Sequence, residues 1–140
     1  MGASDSISIE GSFDTNVLLR YVLQDIESQT EAIDKMLKRG GVYRVSAHAV
    51  FEMIFVLERT YHFARLDIAE SVKAIIHHDQ ISCDTDFIDR ALSQYIQTEK
   101  LSIIDCALLE YARMCPALPF ITFDKDIIKQ SGGDASAPGV

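Results

Sequence analysis

Short β-branched or apolar runs alternate with stretches of helical period along this chain, and that alternation restricts the possible folds more than any other feature. From Ile7 to Phe13 apolar residues alternate as in a strand, and Val17, Leu18, Tyr21 and Val22 then recur at helical spacing. The run VYRVS at 42–46 leads into AHAVFEMIFVLERTY, with Ser46 placed to cap a helix. PFITF at 119–123 has the continuous apolar character of a buried parallel strand and leads into DKDIIK, a turn and a short helix. Strands separated by helices need crossover connections, and crossovers produce a parallel sheet with helices on both faces. The expected fold is α/β, a three-layer α/β/α sandwich around a short, mostly parallel central sheet.

The middle of the chain fills the helical layers. SQTE offers Ser28 as a cap with Glu31 three residues on, and Gly40 and Gly41 stop that helix. Asp67 and Glu70 can start a helix through IAESVKAIIHH, and ISCD is a turn or a short strand. Asp86 is placed to cap FIDRALSQYIQTE, with Phe87, Ala91, Leu92 and Tyr95 facing inward. SIIDCALLEYARM reads as a helix capped by Ser102, and the closing QSGGDASAPGV reads as a frayed tail. A chain of 140 residues suits one domain, here expected over 12–129, with an N-terminal extension and strand start at 1–11 and a flexible tail at 130–140.

Composition narrows the function. Hydrophobic residues at 48% and charged residues at 24% belong to a folded globular chain. Lys and Arg number 13 against 21 Asp and Glu, a formal charge of −8, which opposes tight nonspecific binding to nucleic acid but leaves room for a local basic rim. No apolar run approaches the roughly 18 residues of a membrane helix, and MGASDSISIEG lacks the regions of a signal peptide, so a cytoplasmic location without membrane association is expected. Cys83, Cys106 and Cys115 form no CxxC pair and are expected as reduced thiols. His77 and His78 are adjacent and would diverge by about 100° on a helix, a poor chelating pair. His48, four residues before Glu52, can reach that carboxylate.

Four acids stand in unusual places. In parallel sheets the ligand crevice lies at the carboxyl ends of the strands, where Asp14 follows the first strand and Asp124 the last. Glu52 is the only charge from Ala49 to Leu57, and Asp105 the only charge between Lys100 and Glu110. Each has an ordinary explanation: Asp14 as a helix cap, Glu52 as a solvent-facing helix carboxylate, Asp105 as a first-turn acid, Asp124 and Asp126 as loop acids. Gathered at one edge, however, four carboxylates repel one another unless a cation neutralises them. An all-oxygen set suits Mg²⁺ or Mn²⁺, and such an ion suits phosphodiester hydrolysis.

FDTNVLLRYVLQD, VSAHAVFEMIFVLERTY, SIIDCALLEYAR and PFITFDKDI, in this order and spacing over about residues 12–129, resemble the PIN-domain proteins, most closely the VapC-type toxin ribonucleases of type II toxin–antitoxin pairs. The resemblance implies a PIN-like fold and a catalytic, metal-binding quartet of Asp14, Glu52, Asp105 and Asp124, supported by Asn16 and Thr122, with Asp126 able to replace or assist Asp124. It implies a Mg²⁺- or Mn²⁺-dependent endoribonuclease leaving a 5′-phosphate, a homodimer, and a cognate antitoxin covering the groove. Asp14, Asp105 and Asp124 would hold the ion, with Glu52 ligating it or orienting and deprotonating the attacking water. Arg20, Arg44, Arg59, Arg65, Lys100 and Lys125 are candidates for phosphate contacts.

Two other readings compete with the ribonuclease. One is a catalytically silent PIN-like module that binds RNA or protein. The other is a phosphatase using Asp14 as nucleophile, which Asn16 disfavours because such enzymes place a second acid there. The signatures GxGxxG, GxxxxGK[ST], HExxH and GxSxG do not occur.

Overall fold

The computed structural model describes residues 8–139, so the expected strand start at Ile7 and most of the 1–11 extension lie outside the described residues. Three strands, β1 (Ile9–Ser12), β2 (Val42–Arg44) and β3 (Ile81–Ser82), lie side by side in that order. All pair in parallel, with Gly11 opposite Tyr43 and Tyr43 opposite Ile81. The helices α1 (Thr15–Leu23) and α2 (Glu27–Lys38) connect β1 to β2, and α3 (Ala47–Arg59) and α4 (Arg65–Ile76) connect β2 to β3. Then follow α5 (Thr85–Gln97), α6 (Ile103–Met114), β4 (Phe120–Ile121), α7 (Lys125–Gln130) and β5 (Ala135–Ser136), with β4 and β5 paired in parallel. This is the expected α/β/α fold with a short parallel sheet.

One feature departs from a single central sheet. Among the described residues β4 is hydrogen-bonded to β5 and not to β1, so the ladder is divided into groups of three and two strands. The strand β4 is only two residues long and follows Pro119, which has no N–H to donate, so it carries few ladder bonds. Asp14 and Asp124 consequently end strands of separate ladders rather than one continuous edge.

Several helix starts follow the sequence and others move. Asp14, Ser46, Ser102 and Asp124 cap α1, α3, α6 and α7 with their side chains. Ser28 does not cap α2, which starts at Glu27 behind an extended Ile26, so Ser28 lies inside the first turn. Asp86 likewise sits within the first turn of α5, where it pairs with Arg90, and Asp67 within that of α4. The stop of α2 holds: Gly40 and Gly41 have φ of 85° and 94°, left-handed values that L side chains disfavour. A Cβ on Gly41 would also come within 2.6 Å of Glu10 Cγ, so only glycine fits this return into β2.

The core forms around α3. Val50, Met53, Ile54 and Leu57 are fully buried along one side of that helix, each contributing roughly 1.5–3 kcal/mol of transfer free energy. They meet Leu18 of α1, Val72 of α4, and Leu92 and Tyr95 of α5 in one cluster. The buried Tyr95 carries its hydroxyl into the core, where it donates to Glu58 Oε1 at 2.6 Å, and the half-buried Arg65 guanidinium lies 4.1 Å from the Tyr95 ring centroid. Burial and the neighbouring Glu58 push the Tyr95 hydroxyl well above its usual pKa.

The frayed tail expected from residue 130 does not hold over Ser131–Ser136. Arg113 of α6 binds Glu110 and Asp134 as ion pairs and donates to the Ser131 carbonyl, while Ala135 and Ser136 complete the ladder with β4. The low-complexity composition hid this, because the contacts that order the segment come from a guanidinium about twenty residues upstream.

Candidate active site

Asp14 stands where β1 ends and α1 begins. Its backbone is extended, and its Oδ1 accepts from the Val17 N–H at 2.9 Å, which fixes the carboxylate at the positive end of α1. The next residue, Thr15, donates its hydroxyl to Glu52 Oε1 at 2.6 Å. Burial of one side of α3 turns Glu52 toward solvent, and this hydroxyl links it to the residue beside Asp14. Nothing in the local sequence marks Thr15 as a site residue, because a hydroxyl next to an acid gives no signal that it will meet a carboxylate 37 positions away. His48 approaches the same Oε1 at 3.8 Å, an ion-pair distance and not a hydrogen bond.

Asp105 lies on the first turn of α6, where it completes a capping box. Its backbone N–H donates to Ser102 Oγ at 3.1 Å, and its Oδ2 accepts from the Ser102 N–H at 3.2 Å. It borders a hollow shared with Phe55 and Arg59, which lie three and seven residues beyond Glu52 and so on its side of α3. Asp124 caps α7, its Oδ1 accepting from Asp126 N–H at 2.9 Å and Ile127 N–H at 3.1 Å. Thr122 Oγ1 accepts from the Asp124 N–H at 3.0 Å, which holds the backbone at the start of α7. Asn16 is exposed and borders an apolar groove of about 570 Å³ that runs from Asp14 between β1 and α2.

The four acids share one property. Each is held through a single carboxylate oxygen, and Asp14 Oδ2, Glu52 Oε2, Asp105 Oδ1 and Asp124 Oδ2 have no hydrogen-bond partner among the described residues. A free oxygen on a fixed carboxylate is the donor type that a hard cation takes. The chemistry of the set therefore fits Mg²⁺ or Mn²⁺. Its spacing is looser: among the described residues no three His, Cys, Asp or Glu side chains stand close enough together to hold an ion as they are. The structure joins Asp14 to Glu52 through Thr15 and places Asp105 on the hollow beside α3, while Asp124 and Asp126 make no hydrogen bond to the other three.

The six basic candidates separate clearly. Arg20 pairs with Asp25 at 2.8 Å and Arg44 with Asp84 at 2.9 Å. Arg65 is held by Glu58 and by the carbonyls of Tyr95 and Thr98. These three have structural tasks that the sequence did not display. Arg59, Lys100 and Lys125 are exposed and have no acidic partner among the described residues. Of the imidazoles, His77 pairs with Asp89 and His78 Nδ1 accepts from the Gln80 N–H. Cys106, beside Asp105, is buried, and desolvation pushes its thiol up to about 12, so it is an inert thiol.

The family profile described as PIN domain matches residues 13–132. No curated protein and no solved structure matches the chain significantly. No helix among the described residues is long and apolar enough to cross a membrane.

Proposed function

The chain belongs to the PIN-domain family, a fold that generally marks nucleases, and from that premise we propose that it is a Mg²⁺- or Mn²⁺-dependent endoribonuclease, the VapC-type toxin of a toxin–antitoxin pair. The observation that carries the reading is the set of four fixed carboxylates, each keeping one oxygen free, within the matched segment. An ion bound there would supply electrophilic charge to the phosphoryl oxygens. Asp14, Asp105 and Asp124 would hold it, with Asp126 beside Asp124 as a further donor. Glu52 is oriented by Thr15 through Oε1, which leaves Oε2 to align the attacking water and accept its proton. Attack at phosphorus would leave a 5′-phosphate. The toxin role brings a cognate antitoxin and a homodimer with it; the exposed Ile104, Leu108 and Tyr111, on one side of α6, support association with a protein partner.

A second reading has one observation in its favour: the acids do not converge in a group of three among the described residues, as a silent RNA- or protein-binding module would allow. Incubation of a mixed RNA pool with Mg²⁺, Mn²⁺ or EDTA, wild type beside Asp14→Asn, separates the two. Discrete products that need the metal and vanish in the variant support the nuclease. RNA or partner binding without cleavage, unchanged in the variant, supports the module.

A further inference from the structure

The hollow beside Asp105 has a composition that the quartet does not explain. Phe55 follows Glu52 by three residues and exposes 42% of its surface. One turn further along α3, the Arg59 guanidinium carbon lies 5.2 Å from the Phe55 ring centroid. Both border a hollow of about 260 Å³ that also takes in Lys100 and Asp105. Arg59 and Lys100 lack acidic partners among the described residues, whereas Arg65 in the same hollow is fully engaged by Glu58, Tyr95 and Thr98.

An exposed aromatic ring with a guanidinium against it is a surface on which nucleobases stack, and stacking tolerates any base because every base has a π-face. We propose that Phe55 and Arg59 form a stacking platform for one nucleobase of single-stranded RNA, with the adjoining phosphates met by Arg59 and Lys100, so that the strand is led across the hollow to Asp105. The identity of the ligand rests on the ribonuclease reading; the platform itself rests on the exposed ring, the unpaired cations and the hollow. Glu58, Glu99 and Asp105 border the same hollow, so its charge is nearly balanced. Affinity there comes mainly from stacking, and about two phosphate contacts give a log–log salt slope of only about −1.4 for a single strand.

The chain contains no tryptophan, so Phe55→Trp installs one tryptophan at the platform, which is excited selectively beyond the absorption of the five tyrosines. The experiment uses this substitution in an Asp14→Asn background, with a dodecamer of adenosine and an abasic ribose–phosphate dodecamer as probes. The adenosine strand is expected to quench the emission, and the abasic strand is not. Phe55→Leu, a change at a half-exposed position, is expected to weaken binding of the labelled adenosine strand about tenfold. Arg59→Gln and Lys100→Gln are each expected to lower the salt slope by about 0.7. If the wild type cleaves and binds RNA while the emission and the Phe55→Leu affinity stay unchanged, the platform is overturned and the nuclease stands. If emission follows protein concentration rather than RNA, the ring is covered by a second copy and the platform is overturned. If the wild type neither binds nor cleaves RNA, both readings fall.

Discussion

Asp14 has two tasks that substitution can separate. One is structural: Oδ1 caps α1 through the Val17 N–H at 2.9 Å. The other, under the proposed function, is to offer Oδ2 to the ion. Asn caps a helix about as well as Asp, whereas Ala leaves the donor unsatisfied at a cost of about 1 kcal/mol. For a domain of this size that cost lowers the melting temperature by roughly 3–5 °C. Asp14→Asn is therefore expected to melt close to wild type, and Asp14→Ala a few degrees below it. Both should lose RNA cleavage by more than the roughly 10–100-fold typical of changes to outer partners of a metal site. Melting followed by circular dichroism, with cleavage measured on the same samples, checks both halves. Cleavage by Asp14→Asn within tenfold of wild type would refute the assignment of the acid. Equal melting of the Asn, Ala and wild-type proteins would refute the cap.

Thr15→Val removes the hydroxyl that orients Glu52 and should lower cleavage roughly 10–100-fold with little change in melting, a combination that single-turnover kinetics and a thermal scan detect. Arg113→Ala leaves Glu110, 7% exposed, as an uncompensated buried acid and should cost about 3–5 kcal/mol in a denaturant titration, with cleavage lost as the C-terminal ladder loosens. The Cys106 thiol has its folded pKa raised from 9.0 to about 12, so the unfolded chain releases its proton first as pH rises. Its stabilising contribution is complete below pH 9 and declines from about 9 to 12, and Tyr95, also raised, acts in the same direction. Denaturation midpoints measured across that range should fall, and a thiol reagent at pH 8 should modify exposed Cys115 in the folded protein but not Cys106.

What the sequence displayed was mainly local. Ser46, Ser102 and Asp14 sit immediately before apolar helical periods, and their caps need only neighbouring backbone N–H groups, so three caps were legible, whereas Asp124, read as a loop acid, caps α7. Ser28 misled because a capping pattern also fits a Ser inside a first turn, and the preceding Ile26 takes extended backbone without any side-chain cap. The acids were legible because charge inside an apolar run is costly and therefore conspicuous. Their partners were not: Thr15 reaches Glu52, Arg44 reaches Asp84 and Arg65 reaches the Tyr95 carbonyl across 30 to 40 positions, distances at which local pattern carries no information. The same limit concealed the division of the sheet, since which strand neighbours β4 is decided by tertiary packing and not by the run PFITF itself.

The clasp made by Arg113 also bears on how the protein opens. It spans 21 positions to Asp134, and the enclosed chain carries Thr122, Asp124, β4 and α7, with β5 following directly after Asp134. This β4–α7–β5 unit is joined to the helical core by few buried side chains, Ile127 and Ala135 chief among them, whereas α3 is surrounded by the core. Such a segment has an opening free energy of its own, below that of global unfolding. Its amides should exchange with solvent at a rate governed by the clasp, in advance of those in α3 and α5. The acid at position 124 should be released by such an opening while Asp14 and Glu52 remain in place, and hydrogen exchange of α7 amides ahead of α3 amides checks it.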